Sequence, residues 1–126
     1  KAGIKMSDYF FDSYAIIELL RGNPNYAMFV NEPVLLTVFN LVEIYWFALR
    51  EYSEKDAEKI YEKYSQSVIE LDDEILKEAI KFRKKNKKMD LSYADCIGYI
   101  YALKNNLVFL TGDKEFKNMK NVEFVK

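Results

Sequence analysis

The sequence contains no histidine, one cysteine, four glycines and two prolines in 126 residues. Without histidine there is no imidazole acid–base catalysis, no Ser-His-Asp or Cys-His nucleophile, and almost no route to a zinc site. A lone cysteine excludes an internal disulfide and points to a reducing, cytoplasmic setting. No stretch of 18 uncharged apolar residues occurs, so no membrane span is expected. Neither charge sign is in excess: 19 Lys and Arg face 20 Asp and Glu, a formal net charge of −1. A nucleic-acid binder held by overall positive charge is therefore excluded. The side chains left for chemistry are carboxylates, hydroxyls and lysines, together with any metal that carboxylates can hold.

Half of the residues are apolar and 16% are aromatic, ample for a core and incompatible with a disordered chain. The length suits one domain, expected over residues 6–126. Lys1 to Lys5 reads as an appended remnant ahead of a native Met6. Sixteen of the 19 basic residues are lysine, a bias shared by hyperthermophile proteins and by AT-rich genomes.

Short apolar runs alternate with helical spacing along the chain. Strands are expected at Tyr9–Phe11, Val34–Leu36, Ser67–Leu71, Leu107–Thr111 and Val122–Val125. Helices are expected from Tyr14 to Arg21, Thr37 to about Tyr52, after Ser53, after Asp72, and from Tyr93 to Asn105, with a short one near Lys114 to Asn118. Ser13, Thr37, Ser53, Asp72 and Ser92 are the candidate N-caps. The class is therefore α/β, with a mainly parallel sheet, helices on both faces and ligands beyond the carboxyl ends of the strands.

Three greasy segments carry one charge each, always negative. Tyr9–Ile17 holds only Asp12, Val34–Leu49 only Glu43, and Leu91–Leu103 only Asp95. A buried unpaired carboxylate costs several kcal/mol or keeps its proton, and gathering three makes matters worse. A divalent cation between them removes the cost. Asp12 follows the first strand and Asp113 follows the Leu107–Thr111 strand by one glycine. Asp95 falls in the first turn of its helix and Glu43 about one and a half turns into its own. All four are thus expected at one edge of the sheet, as an oxygen site for one or two Mg²⁺ or Mn²⁺ ions. Each also has an ordinary reading: Asp12 as an N-cap, Glu43 paired with a distant lysine, Asp95 as half of a capping box, Asp113 as a turn residue.

Ser13 and Thr111 adjoin these acids and are candidates to orient them, and Asn40 lies one turn before Glu43. Glu18 and Glu115, beside Arg21 and Lys114, are expected on the surface, and Cys96 in the core. Lys81 to Lys88 places six basic residues in eight, either a grip for phosphates or a solvated helix end.

In this order these motifs resemble the PIN domain, and in particular the VapC-type toxins of bacterial and archaeal toxin–antitoxin pairs. The resemblance runs from Tyr9 to Val125. YFFDSYAIIELLRGN is similar to the family's first strand and aspartate, LTVFNLVEIYWFALR to its glutamate helix, LSYADCIGYIYALKNN to its third acidic motif and LVFLTGDKEFKNM to its last. It implies strand order 3-2-1-4-5, metal-dependent hydrolysis of RNA phosphodiesters, a homodimer and an antitoxin partner. It assigns the metal to Asp12, Glu43, Asp95 and Asp113, with Thr111 and Ser13 as helpers. Tyr45, Trp46 and Phe47 cannot all face one core, so part of that helix is expected to be a dimer or antitoxin surface. The alternatives are an RNA-processing PIN nuclease without a toxin role, an inactive PIN-like module binding RNA or protein, and a phosphoacceptor signalling domain. The last calls for adjacent acids after the first strand and a lysine after the last, and this chain has Ser13 beside Asp12 and Asp113 where the lysine would be wanted.

Overall fold

The computed structural model describes residues 8–126, so the remnant expected at Lys1–Lys5 and the start at Met6 lie outside the described residues. The element order is β1 (Tyr9–Phe11), α1 (Ser13–Arg21), a 3₁₀ helix (Pro24–Phe29), α2 (Val38–Glu51), α3 (Glu54–Ser65), α4 (Asp73–Lys85), α5 (Tyr93–Lys104), β2 (Val108–Thr111), a 3₁₀ turn (Lys114–Phe116) and β3 (Val122–Phe124). The strands form a parallel sheet in the order β1-β2-β3, with Phe10 opposite Phe109 and Leu110 opposite Glu123.

Side chains alternate across this sheet and so feed two cores. Phe10 and Phe109 pack with Ile75 and Ala79 of α4 and Ile97 and Ile100 of α5. Phe11 and Leu110, one residue on, pack with Ile16 of α1, Tyr26 of the 3₁₀ helix, Ile44 of α2 and Tyr64 of α3. The expected α/β class with helices on both faces is what forms. Gly98 lets α5 lie flat on the sheet, because a Cβ there would stand 2.7 Å from a Phe10 ring carbon. That contact fixes the helix one turn beyond Asp95.

Of the expected order 3-2-1-4-5 the chain forms the 1-4-5 part as β1-β2-β3, while the second and third expected strands do not join the sheet as ladders. Among the described residues the sheet has three strands. Segments 34–36 and 67–71 meet only at one parallel bridge, Leu36 to Val68. A single backbone bond, Phe11 N–H to the Leu35 carbonyl at 3.0 Å, ties the first of them toward β1. The cause is local. Pro33 has no N–H to give a ladder, and Thr37 caps α2 three residues after Val34 begins the extended run. The second segment is closed off by the Asp72 cap of α4. The Pro24–Phe29 3₁₀ helix is a further element that the apolar spacing does not announce; its start is fixed by Asn23, whose side chain accepts from Asn25 N–H.

Helix caps otherwise follow the sequence at Thr37, Ser53, Asp72 and Ser92. The exception is α1, capped by Asp12 rather than Ser13. On α2, Phe47 is buried while Val38, Val42, Trp46 and Leu49 line the outside, Val42 and Trp46 each 63% exposed. No helix among the described residues is long and apolar enough to cross a membrane.

Candidate active site

The four acids sit at the carboxyl end of the sheet or on helices that begin there. Asp12 ends β1 and starts α1, and its Oδ1 accepts from Ala15 N–H at 2.8 Å. Asp95 is the third residue of α5, where Oδ2 accepts from Ser92 N–H at 2.8 Å and completes a capping box. Asp113 follows β2 through Gly112 and caps the 3₁₀ turn, Oδ1 accepting from Glu115 N–H at 3.0 Å. Glu43 projects from the second turn of α2, and its Oε1 accepts from the Ser13 hydroxyl at 2.5 Å. The capping and turn readings are therefore true of Asp12, Asp95 and Asp113. They do not compete with a shared site, since a capping carboxylate commits one oxygen to the backbone and leaves the other to take a further partner.

All four line one open cleft of about 430 Å³. None has a lysine or arginine at ion-pair distance among the described residues. The electrostatic cost is visible. Asp12 is 3% exposed, and burial pushes its carboxyl up to about 8, with Asp95 and Asp113 adding repulsion against the Thr111 and Ala15 hydrogen bonds that oppose it. Asp95 is pushed up to about 6, first by burial and then by Asp113 and Glu43, while Ser92 holds it back.

The supporting polar groups form two short chains. Asn40 Oδ1 accepts from the Thr37 N–H and hydroxyl, both at 2.9 Å, and Asn40 Nδ2 donates to Ser13 Oγ at 3.0 Å. Ser13 in turn donates to Glu43. On the other side, buried Thr111 hydrogen-bonds Asp12 and accepts from Asp113 N–H at 3.0 Å. Ser13 thus orients Glu43 instead of capping α1. Asn40 is fully packed away from the cleft and acts through Ser13. The Gly112 turn that separates Thr111 from Asp113 admits no side chain: a Cβ would stand 2.2 Å from a Tyr14 ring carbon and 2.4 Å from the Val125 carbonyl oxygen.

Among the described residues no three acids are already drawn into the spacing of a preassembled cation site. Like charges without a counter-ion hold apart, and each carboxylate here is anchored to its own donor. The donor set itself suits a hard divalent ion: oxygens only, partly solvated, with uncompensated negative charge.

The cleft also contains residues that the acidic pattern does not reveal. Glu18, expected on the surface, lines it and pairs with Arg21 at 3.1 Å. Arg21, Arg50, Trp46 and Phe47 line it too, Arg21 over the Phe47 ring at 5.1 Å and Arg50 over Trp46 at 5.8 Å. The signal was available: Glu43, Trp46, Phe47 and Arg50 follow the i, i+3, i+4, i+7 rule of one helix face. Glu115 stays outside the cleft, its Oε1 taking the Asp90 N–H at 3.4 Å. Cys96 is in the core, its thiol pushed up to about 11 by burial.

Comparison with known proteins agrees with this fold. The family model of the PIN domain matches residues 9–122. No curated protein matches the chain. Among solved structures, a toxin–antitoxin complex from Klebsiella pneumoniae superposes with a TM-score of 0.70 at 19% identity, covering 91% of this chain and 95% of that one. VapBC-1 from nontypeable Haemophilus influenzae gives 0.68 at 20% identity, covering 92% and 95%. VapBC2 from Rickettsia felis, bound to a DNA fragment from its promoter, gives 0.64 at 12% identity, covering 94% and 98%.

Proposed function

The chain belongs to the PIN-domain family, and from that premise we propose that it is a metal-dependent endoribonuclease, one nuclease domain over residues 6–126, acting as the toxin of a type II toxin–antitoxin pair. The observation that carries this reading is the cleft itself: Asp12, Glu43, Asp95 and Asp113 share it without a cationic partner among the described residues, and burial pushes Asp12 up to about 8 and Asp95 up to about 6.

In this reading the four carboxylates hold one or two Mg²⁺ or Mn²⁺ ions. A bound divalent ion supplies a water of lowered pKa and neutralises charge on the scissile phosphate. The chain's own groups do the rest. Asp12 and Asp95 give up their protons when the site is loaded, so loading is favoured by rising pH. Thr111 keeps Asp12 and Asp113 in register through its two hydrogen bonds, and Ser13 presents Glu43. No side chain is needed as a nucleophile, in keeping with a chain that has no histidine. Arg21 and Arg50, which line the same cleft, would meet the phosphates flanking the cut.

The toxin assignment rests on the likeness to the complexes named above. It brings with it a protein antitoxin, a homodimer and a cytoplasmic setting. The exposed stripe Val38, Val42, Trp46 and Leu49 on α2 supports a protein-binding surface of this kind. Val42→Asp should weaken self-association or antitoxin binding, and no change in either would remove that surface from the account. The nuclease reading is tested by RNA cleavage with and without chelator, in the wild type and in Asp95→Asn. Activity confined to the metal-supplied wild type supports it, and equal activity in all four conditions would end it.

A further inference from the structure

The basic run Lys81–Lys88 has no part in the acid cleft, yet the fold brings it to the same turn of helix. Ile80, Arg83, Lys84 and Lys87 are spaced as one face of α4 and the turn beyond it, and with Met89, Leu91 and Tyr93 they line a second pocket of about 290 Å³. Tyr93 is the first residue of α5 and Asp95 the third. The basic pocket and the acid cleft therefore share the first turn of one helix, Tyr93 lining the former and Asp95 the latter.

The pocket is built rather than merely charged. Arg83 Nε donates to the Leu91 carbonyl at 3.0 Å, and its guanidinium lies over the Tyr93 ring, 4.4 Å from the centroid. This backs one face of a tyrosine that remains 57% exposed. Lys84 and Lys87 are exposed beside it and make no ion pair among the described residues. A fixed aromatic platform flanked by mobile cations is the pairing that single-stranded nucleic acid uses, bases on the ring and phosphates on the cations. The chain as a whole offers such a ligand no attraction, at a net charge of −1, so binding has to come from a local concentration of positive charge.

We propose that this pocket is an RNA-holding site outside the acid cleft: single-stranded RNA lays a base on Tyr93 and its phosphates on Lys84 and Lys87, and then passes over the first turn of α5 toward Asp95. The identity of the strand as substrate rests on the nuclease reading above; the binding site does not.

The test separates the two. Binding of a labelled single-stranded 20-mer of uridine is measured in chelator, where cleavage is silent, at several salt concentrations. Lys84→Gln/Lys87→Gln should lower the salt-dependence slope by about 1.4 and weaken binding about tenfold at moderate salt. Tyr93→Leu should weaken it by about fivefold or more. With Mn²⁺ present, the double variant should raise KM for a long RNA while leaving kcat unchanged. Both lysines are exposed, so the thermal midpoint should not move. A folded double variant with unchanged slope and affinity overturns the proposal, even if the protein cleaves RNA. Capture of poly-glutamate but not oligouridine through the same lysines overturns it too, assigning the pocket to an acidic protein segment. Binding lost with these residues in a protein that never cleaves would keep the pocket and refute the nuclease reading.

Discussion

The acid cleft and the basic pocket lie on either side of the first turn of α5, and they carry charge in opposite ways. In the cleft, the four acids are buried or half-buried, each is held by a hydrogen-bond donor, and none lies at ion-pair distance from a lysine or arginine among the described residues. In the pocket, positive groups are extended into solvent on flexible stems, at little cost to the fold. Buried charge without a counter-ion is expensive, and the cost appears as carboxyls pushed up toward their protonated forms. Solvated charge is cheap, and says little until geometry supplies a partner for it. Arg83 stacked on Tyr93 is that geometry.

The contrast can be broken most severely at Asp113. Asp113→Asn removes a carboxylate and keeps a side chain able to cap the 3₁₀ turn. Metal-dependent cleavage should fall by at least about 100-fold, more than losing an outer partner of a metal site costs, with far-UV circular dichroism unchanged. Retained activity would take Asp113 out of the site. Next is Gly112→Ala, whose methyl meets the Tyr14 ring and a backbone carbonyl that cannot move aside. It should destabilise the fold by about 1–3 kcal/mol in urea denaturation and displace Asp113 from Thr111, lowering activity beyond what the stability loss explains. Gly98→Ala meets a Phe10 ring instead of backbone and should cost less.

Asp12→Asn sharpens the comparison from the stability side. The folded state holds the Asp12 proton up to about pH 8, whereas the unfolded chain releases it near 3.8. The folded state therefore binds more protons between those values, and metal-free stability should fall as pH rises through that window. Asp95, titrating near 6, steepens the acid half of the decline. Asparagine keeps the N-cap and deletes the buried charge, so the variant should be about 1–2 kcal/mol more stable than wild type at pH 8 without metal, and show a flatter pH profile. A wild type whose stability rises between pH 5 and pH 8 would contradict this. The smallest effect is expected at Ser13→Ala, which frees Glu43 from its hydroxyl partner and leaves Asn40 Nδ2 without an acceptor. Cleavage should fall about tenfold, measured at saturating Mn²⁺.

Much of this was legible in the residues. The β1 and β2 strands and all five α-helices follow from apolar period and cap chemistry, and the acids stood out because each was the only charge in a greasy segment. Less legible were features fixed by tertiary contact. Whether Val34–Leu36 extends into a ladder depends on what Pro33 and the Thr37 cap leave of it. Whether Asp12 or Ser13 caps α1 depends on Glu43 and Asn40, thirty and twenty-seven residues away, claiming the serine hydroxyl. Glu18 looked like a surface residue because its partner Arg21 is beside it in sequence, but the pair lines the cleft. The role of Lys84 and Lys87 could not be read from a run of lysines. It needed Tyr93, which the fold brings to them from the next helix.

The central claim is that the four acids share a cleft because a divalent ion belongs between them. Calorimetric titration of the chelator-treated protein with Mn²⁺ near pH 7.5 tests it directly. The account predicts saturable binding of one or two ions with release of protons, abolished in Asp12→Asn/Asp113→Asn. Absence of saturable binding in the wild type, or equal binding in the double variant, would contradict it.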